Sequence, residues 1–308
     1  MSSWGPLTID AVRHKVVDIG GPVHYLDFGG DGSPLLMVHG LGGSALNWMA
    51  VGPAFAERYH AVAIDLVGFG QTPLFKRSAA VGANADLVRR FIDEVLDEPV
   101  TLMGNSMGGH ISVLVAGAHP ERVARVVLVD PAVPGVHVRR PEPAMLGVIA
   151  AVSVPGLAET LLDRRAKMLG PEGLVQQTLA VVCADPSRLS AELVQAHVQL
   201  TRERASLGGQ NNRALLQATR SIGLRMADPR FWVKARQVKA PTLVIHGELD
   251  RVIPLAAARE LVRRVPAWTL KVIEGVGHVP MMETPEAFIR AANGWLEDRI
   301  APAGASIP

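Results

Sequence analysis

The sequence predicts an α/β fold: a mostly parallel eight-stranded sheet with helices on both faces and an inserted helical cap. Three observations predict it. Short, continuously apolar runs recur through the first 130 residues and return after residue 240, separated by helix-length segments. Parallel strands buried on both faces have that composition, whereas a sheet open to water on one side alternates apolar and polar residues. Between these two sets, from Pro131 to about Arg230, strand patterns give way to helical ones.

The strand candidates are residues 15–19, 23–28, 34–38, 60–64, 99–103, 123–129, 242–246 and 269–273. Gly20-Gly21-Pro22 joins the first two and reads as a hairpin. Helical patterns cover residues 110–119, which stop at Pro120, then 255–264 and 285–299. Pro155, Gly170-Pro171, Pro186 and Gly208-Gly209 interrupt the inserted segment, so it should form several helices rather than one. The expected division is a core of residues 1–130 and 231–308 with a helical cap (lid) at 131–230. The Pro/Gly/Ala/Ser tail after Ile300 should fray.

Composition narrows the function classes. Lys+Arg 31 against Asp+Glu 29 gives a balanced surface, so nothing asks for nucleic acid or an anionic membrane. The arginine pairs Arg89-Arg90, Arg139-Arg140 and Arg164-Arg165 read as solvated faces. A single cysteine, Cys183, excludes an internal disulfide and any multi-cysteine metal site, and its apolar neighbours predict burial. The first residues lack the basic region and apolar core of a secretory signal. No run approaches the ~20 apolar residues of a membrane span; residues 144–158 come nearest and are broken by Pro155. The expectation is a cytoplasmic protein without a transmembrane segment, with homo-oligomerisation left open.

The most informative motif is Gly104-Asn105-Ser106-Met107-Gly108-Gly109, set between a strand candidate and a helix candidate. A G-x-S-x-G in that context reads as a nucleophile elbow, a tight turn that presents a serine hydroxyl above a sheet. The serine needs a base to take its proton during attack. His278 follows the last strand candidate, and an imidazole titrates in the right range for that base. Asp250 follows strand 242–246 and would fix the imidazole tautomer. Asp130, at the end of strand 123–129, is the competing acid; its alternative role is to anchor the start of the cap. His39-Gly40-Leu41-Gly42-Gly43 follows strand 34–38, where glycine-rich backbone can aim N–H groups at a developing oxyanion. His39, His246 and His110 read as structural histidines. Met281 and Met282 are wall or core filler, and 145–154 is equally a pocket wall or core packing.

The order Ser106, Asp250, His278 around these motifs resembles the α/β-hydrolase superfamily over nearly the whole chain outside the cap. That resemblance implies an oxyanion hole from the backbone amides of Leu41 and Met107, and a structural role for Asp65-Leu-Val-Gly-Phe-Gly70. No metal cluster or nucleotide loop is visible in the sequence, so no cofactor or metal is expected. Ser106, where related dehalogenases and epoxide hydrolases carry aspartate, implies acyl transfer from a carbonyl compound rather than an alkyl ester on a carboxylate.

The elbow resembles that of serine C–C bond hydrolases of 2-hydroxy-6-oxo-dienoate ring-cleavage products. In those enzymes the asparagine before the serine lies near substrate, which makes Asn105 a substrate contact, together with Gly40, Gly42 and Val279. Val279 departs from them, since they usually carry tryptophan there; their oxyanion loop is also richer in glycine and proline. The leading expectation is therefore a carboxylic ester hydrolase for small to medium apolar acyl groups, a small-molecule apolar ester being its partner. C–C hydrolysis is the alternative, followed by perhydrolase or acyltransferase activity. A non-enzymatic small-ligand receptor on the same fold is the reading of another class, and turnover discriminates it.

Overall fold

The computed structural model describes residues 12–135, 156–205 and 210–298. Eight strands form one sheet: β1 (Arg13–Asp18), β2 (Pro22–Gly29), β3 (Pro34–Val38), β4 (His60–Ile64), β5 (Val100–Asn105), β6 (Val123–Val129), β7 (Thr242–Gly247) and β8 (Thr269–Ile273). Their spatial order is β1-β2-β4-β3-β5-β6-β7-β8. The short Gly20-Gly21 connection can only return the chain antiparallel, and β2 runs against both β1 and β4. All remaining pairs are parallel.

Successive strand residues feed two separate cores. Leu36 and Val38 of β3 join one, Leu35 and Met37 the other. β6 divides likewise, with Val126 and Leu128 on one face and Val127 and Val129 on the other. This is why the central strands read as unbroken apolar runs. Helices Val81–Phe91, Met107–Ala118, Arg230–Gln237 and Ala256–Arg264 cover the first face. Phe288, Trp295 and Leu296 of helix Pro285–Asp298 cover the second, with the Trp48 and Phe55 rings packed on Phe288. Each such aromatic stabilises the fold by roughly 1.5–3 kcal/mol on burial.

The strand order reverses between β3 and β5: the chain leaves β3 for β4 on one side, then crosses to β5 on the other. The crevice beyond such a switch point is where open α/β sheets bind ligands. The glycine loop after β3 and the serine turn after β5 therefore face one crevice.

The insertion between β6 and β7 contains helix Leu157–Val182, a 3-10 turn at Pro186–Arg188, and helices Ala191–Ala205 and Gln210–Met226. The first helix kinks at Gly170 (φ 63°), before Pro171, as the Gly-Pro pair predicts. Val175, Leu179, Leu193 and Val198 extend the second core, while Ala214 and Ala218 extend the first, so the helices straddle the end of the sheet. Helix Arg230–Gln237 returns to the sheet layer: a Cβ on Gly117 would stand 2.4 Å from the Lys234 carbonyl oxygen. Among the described residues no helix is long and apolar enough to cross a membrane. The wall segment 145–154 and the tail after Ile300 lie outside the described residues.

Candidate active site

The serine turn is built by close approach. A Cβ on Gly104 would sit 2.4 Å from the Gly108 carbonyl oxygen, and one on Gly108 2.3 Å from that of Val38. Neither position has room for a side chain. Ser106 itself adopts φ 55°, ψ −115°, a conformation that costs a non-glycine residue about 1–3 kcal/mol and persists only where its surroundings enforce it. Its N–H donates to the Val129 carbonyl (2.8 Å), and its own carbonyl accepts from His110 and Ala132. The helix begins at Met107, three residues before the first predicted helical position, because the turn itself supplies its first residues. Met107 N–H is thus among the amides a helix start leaves without an intrahelical partner.

His278 and Asp250 meet across the two last strand ends. The His278 Nδ1 lies 2.6 Å from Asp250 Oδ2, and both side chains are buried. Asp250 Oδ1 accepts the N–H groups of Val252 (2.7 Å) and Ile253 (2.9 Å). Burial alone would raise the Asp250 pKa; the His278 hydrogen bond and charge, with the Ile253 N–H, outweigh it and hold the carboxylate below its ordinary value. With Nδ1 held, Nε2 is the ring nitrogen left for a proton from Ser106, which lines the same cavity.

Asp130 takes a different position. Its Oδ1 accepts the Gly247 N–H at 2.8 Å, and its buried Oδ2 has no partner. Burial, then the neighbouring Asp250 charge, push its pKa well above the ordinary range, whereas that of Asp250 is held below it. His246, Asp130 and Asp250 are close enough to suggest metal ligation. However, His246 Nε2 donates to the Ile253 carbonyl (2.9 Å), and Asp250 is already bonded through both oxygens. His246 and Asp130 pack beside Asp250 and the dyad it forms with His278, each bonded to backbone.

Four further residues are structural rather than reactive. Asp65 accepts the N–H groups of Ala45 (2.7 Å) and Gln71 (2.8 Å) and pairs with His24 Nδ1 (2.7 Å), tying down the glycine loop. His39 Nδ1 donates to the Gly40 carbonyl at 2.7 Å while Nε2 accepts the Leu66 N–H at 3.0 Å. Both ring nitrogens are committed. His110 stacks on Phe231, its Nδ1 donating to the Ala132 carbonyl, and burial lowers its pKa to about 4. Cys183 is buried, its thiol pushed up to about 12.

Ser106, His278, Asn105, Gly40, Leu41, Gly42 and Val279 all line one cavity of about 160 Å³, whose outer wall is Leu174, Val175, Leu179 and Val182 of the inserted helix. Asn105 also works beneath the site: its Nδ2 donates to the carbonyls of Val129 (3.2 Å) and His278 (3.1 Å), joining the two loops. Met282 lines the cavity, whereas Met281 is core. A larger cleft of about 580 Å³ lies around His110 and Phe231 and is lined by neither Ser106 nor His278.

Sequence reasoning missed two residues. Glu283 is buried and accepts the N–H groups of Gly277 (2.9 Å), Ala184 (3.0 Å) and Asp185 (2.9 Å), clamping the His278 loop to the end of the inserted helix. The His278 N–H reinforces the clamp by donating to the Val182 carbonyl at 2.7 Å. A lone glutamate directly after Met281-Met282 was the available signal. The second is His197, which enters the cavity from helix Ala191–Ala205; nothing in its helical surroundings marked it.

Comparison with known proteins agrees with this architecture. The family model described as the alpha/beta hydrolase fold matches residues 33–285. A 2-hydroxy-6-oxononadienedioate/2-hydroxy-6-oxononatrienedioate hydrolase of Pseudomonas putida is 28% identical over 292 residues, covering 93% of this chain and 94% of that protein. Among solved structures, a serine hydrolase involved in carbazole degradation is similar at TM-score 0.72 and 25% identity, covering 94% of this chain and all (100%) of that one. A membrane phospholipase A is similar at TM-score 0.73 and 28% identity, covering 95% and 88%. With the sheet order, the crevice and the family match in agreement, the chain belongs to the alpha/beta hydrolase fold family and is a hydrolase.

Proposed function

We propose that this hydrolase cleaves a bond at a carbonyl carbon through an acyl-enzyme on Ser106, with His278 as base and Asp250 as its orienting acid. The observation that carries this reading is the 2.6 Å Asp250–His278 contact, with His278 and the strained Ser106 lining one cavity. Ser106 Oγ attacks the carbonyl and its proton passes to His278 Nε2. The oxyanion is met by the amides of Met107 and Leu41, each donor being worth on the order of 3 kcal/mol. His278 returns the proton to the leaving group, and water repeats the sequence to release the acid. Residues 131–230 act as the cap over this centre, and 1–130 with 231–308 as its core.

The relatives reorder the substrate classes. Dienoate C–C hydrolysis, the alternative on sequence grounds, becomes the first reading, because the similar Pseudomonas putida protein is a hydrolase of that class. The leaving carbon of a 2-hydroxy-6-oxo-dienoate in its keto form delocalises its electron pair into the adjacent enone, so the same serine chemistry serves. Esters of small apolar acyl groups are the second reading. The narrow cavity, its aliphatic wall and Val279 favour them, and no Lys or Arg stands among its described lining residues to pair with a second carboxylate.

The discriminating experiment is turnover of p-nitrophenyl esters of increasing chain length beside a 2-hydroxy-6-oxo-dienoate. Dienoate cleavage well above ester cleavage supports the first reading. A short-chain ester optimum without dienoate cleavage replaces it with the second. Stoichiometric binding with a thermal shift and no turnover would instead identify a receptor.

A further inference from the structure

His197 is out of character with the wall it belongs to. The cavity wall opposite Ser106 is aliphatic, built from Leu174, Val175, Leu179 and Val182. His197 enters it from helix Ala191–Ala205, deep enough that burial lowers its pKa to about 4, and no opposing charge contributes to that shift. Its Nε2 is shielded and has no hydrogen-bond partner. A buried polar nitrogen is seldom left unpaired, and one on a residue that lines a ligand cavity is explained when a bound ligand pairs it.

The neighbouring polar groups indicate what kind of ligand. Thr178 Oγ1 donates to the Leu174 carbonyl (2.9 Å), and Thr201 Oγ1 donates to the carbonyl of His197 itself (2.7 Å). Each hydroxyl has spent its proton, so toward the cavity it can only accept. A neutral imidazole can donate or accept through its free nitrogen. Two acceptors and a neutral imidazole in a wall without a described cation suit an uncharged donor, and a hydroxyl suits best because it can donate to one threonine oxygen while accepting from the imidazole.

We propose that His197 is the specificity-determining residue of this cavity and selects substrates whose acyl portion carries a hydroxyl group over those with a plain alkyl chain. The proposal rests on hydrolysis at Ser106 for its kinetic form, and its binding form is independent of that reading. Deep in the cavity, one such hydrogen bond is worth about tenfold in discrimination.

The test compares wild type with His197→Leu and His197→Gln on p-nitrophenyl hexanoate and its hydroxyhexanoate isomers, one hydroxyl position at a time. Wild type should favour at least one hydroxylated ester by about tenfold in kcat/KM over the plain one. His197→Leu should erase that preference by lowering kcat/KM for the hydroxylated ester about tenfold more than for the plain one, and His197→Gln should restore part of it. Equal losses on both esters, or no wild-type preference for any isomer, would overturn the proposal. In parallel, hexanoic acid and the hydroxyhexanoic acids are titrated against the Ser106→Ala protein with and without His197→Leu. A hydroxyl preference in binding that depends on His197 supports the proposal even if wild type turns over no ester; no such preference contradicts it. Survival of ester turnover in Ser106→Ala contradicts only the catalytic reading.

Discussion

Asp250 Oδ2 stands 2.6 Å from His278 Nδ1, and the Asp130 carboxyl, its pKa raised by burial, is packed against the same aspartate. Two acidic side chains at adjacent strand ends therefore have different duties. One carries the charge that orients the imidazole; the other fixes the Gly247 amide that begins the Asp250 loop.

Asp250→Ala should lower kcat by about 10³–10⁴-fold, the cost of losing the orienting acid in a serine triad. Asp130→Asn keeps an acceptor for the Gly247 N–H and should lose less than about tenfold. Steady-state kinetics of the two variants checks the assignment, and the reverse order would move the acid role to Asp130.

The elevated Asp130 pKa has a sign that stability measurements can read. A folded-state pKa above the unfolded one means that the native protein binds more protons, so stability falls as pH rises from about 3.8 toward the folded value. Asp130→Asn removes that loss, and its denaturation midpoint should rise relative to wild type as pH increases above about 3.8.

His110 works in the opposite direction. Its pKa is lowered from 6.5 to about 4 by burial, so its contribution is present above pH 6.5 and lost as pH falls through about 4. The stake is on the order of 3 kcal/mol. In His110→Asn, where the amide can still donate to Ala132, the decline of thermal midpoint between pH 6.5 and 4 should be shallower than in wild type.

Glu283 holds three backbone amides from two segments. Glu283→Ala leaves those donors buried and should destabilise the fold by about 3 kcal/mol or more while lowering kcat. Glu283→Gln retains one acceptor oxygen and should fall between, as urea denaturation and turnover of the same preparations would show.

Much of this was legible in the sequence because it depends on local pattern. The eight strands match because two-sided burial leaves continuous apolar runs, and the serine turn could be placed because Gly104 and Gly108 sit where backbones nearly touch. Start points shifted where tertiary contacts extend an element: β5 runs on to Asn105, and the following helix begins at Met107. The separate duties of Asp130 and Asp250 were not legible, since both follow strand ends and only their distance to His278 tells them apart. Glu283 and His197 were missed for a related reason. Their partners lie about 100 residues away or across a cavity, where no spacing rule reaches.

The central claim is a covalent acyl intermediate on Ser106. Rapid-quench intact mass spectrometry of the enzyme mixed with a turned-over p-nitrophenyl ester or dienoate tests it most directly. The account predicts a mass gain equal to the acyl group, located on the peptide bearing Ser106, and neither adduct nor turnover in Ser106→Ala. Full turnover in Ser106→Ala, or an adduct on another residue, would contradict it.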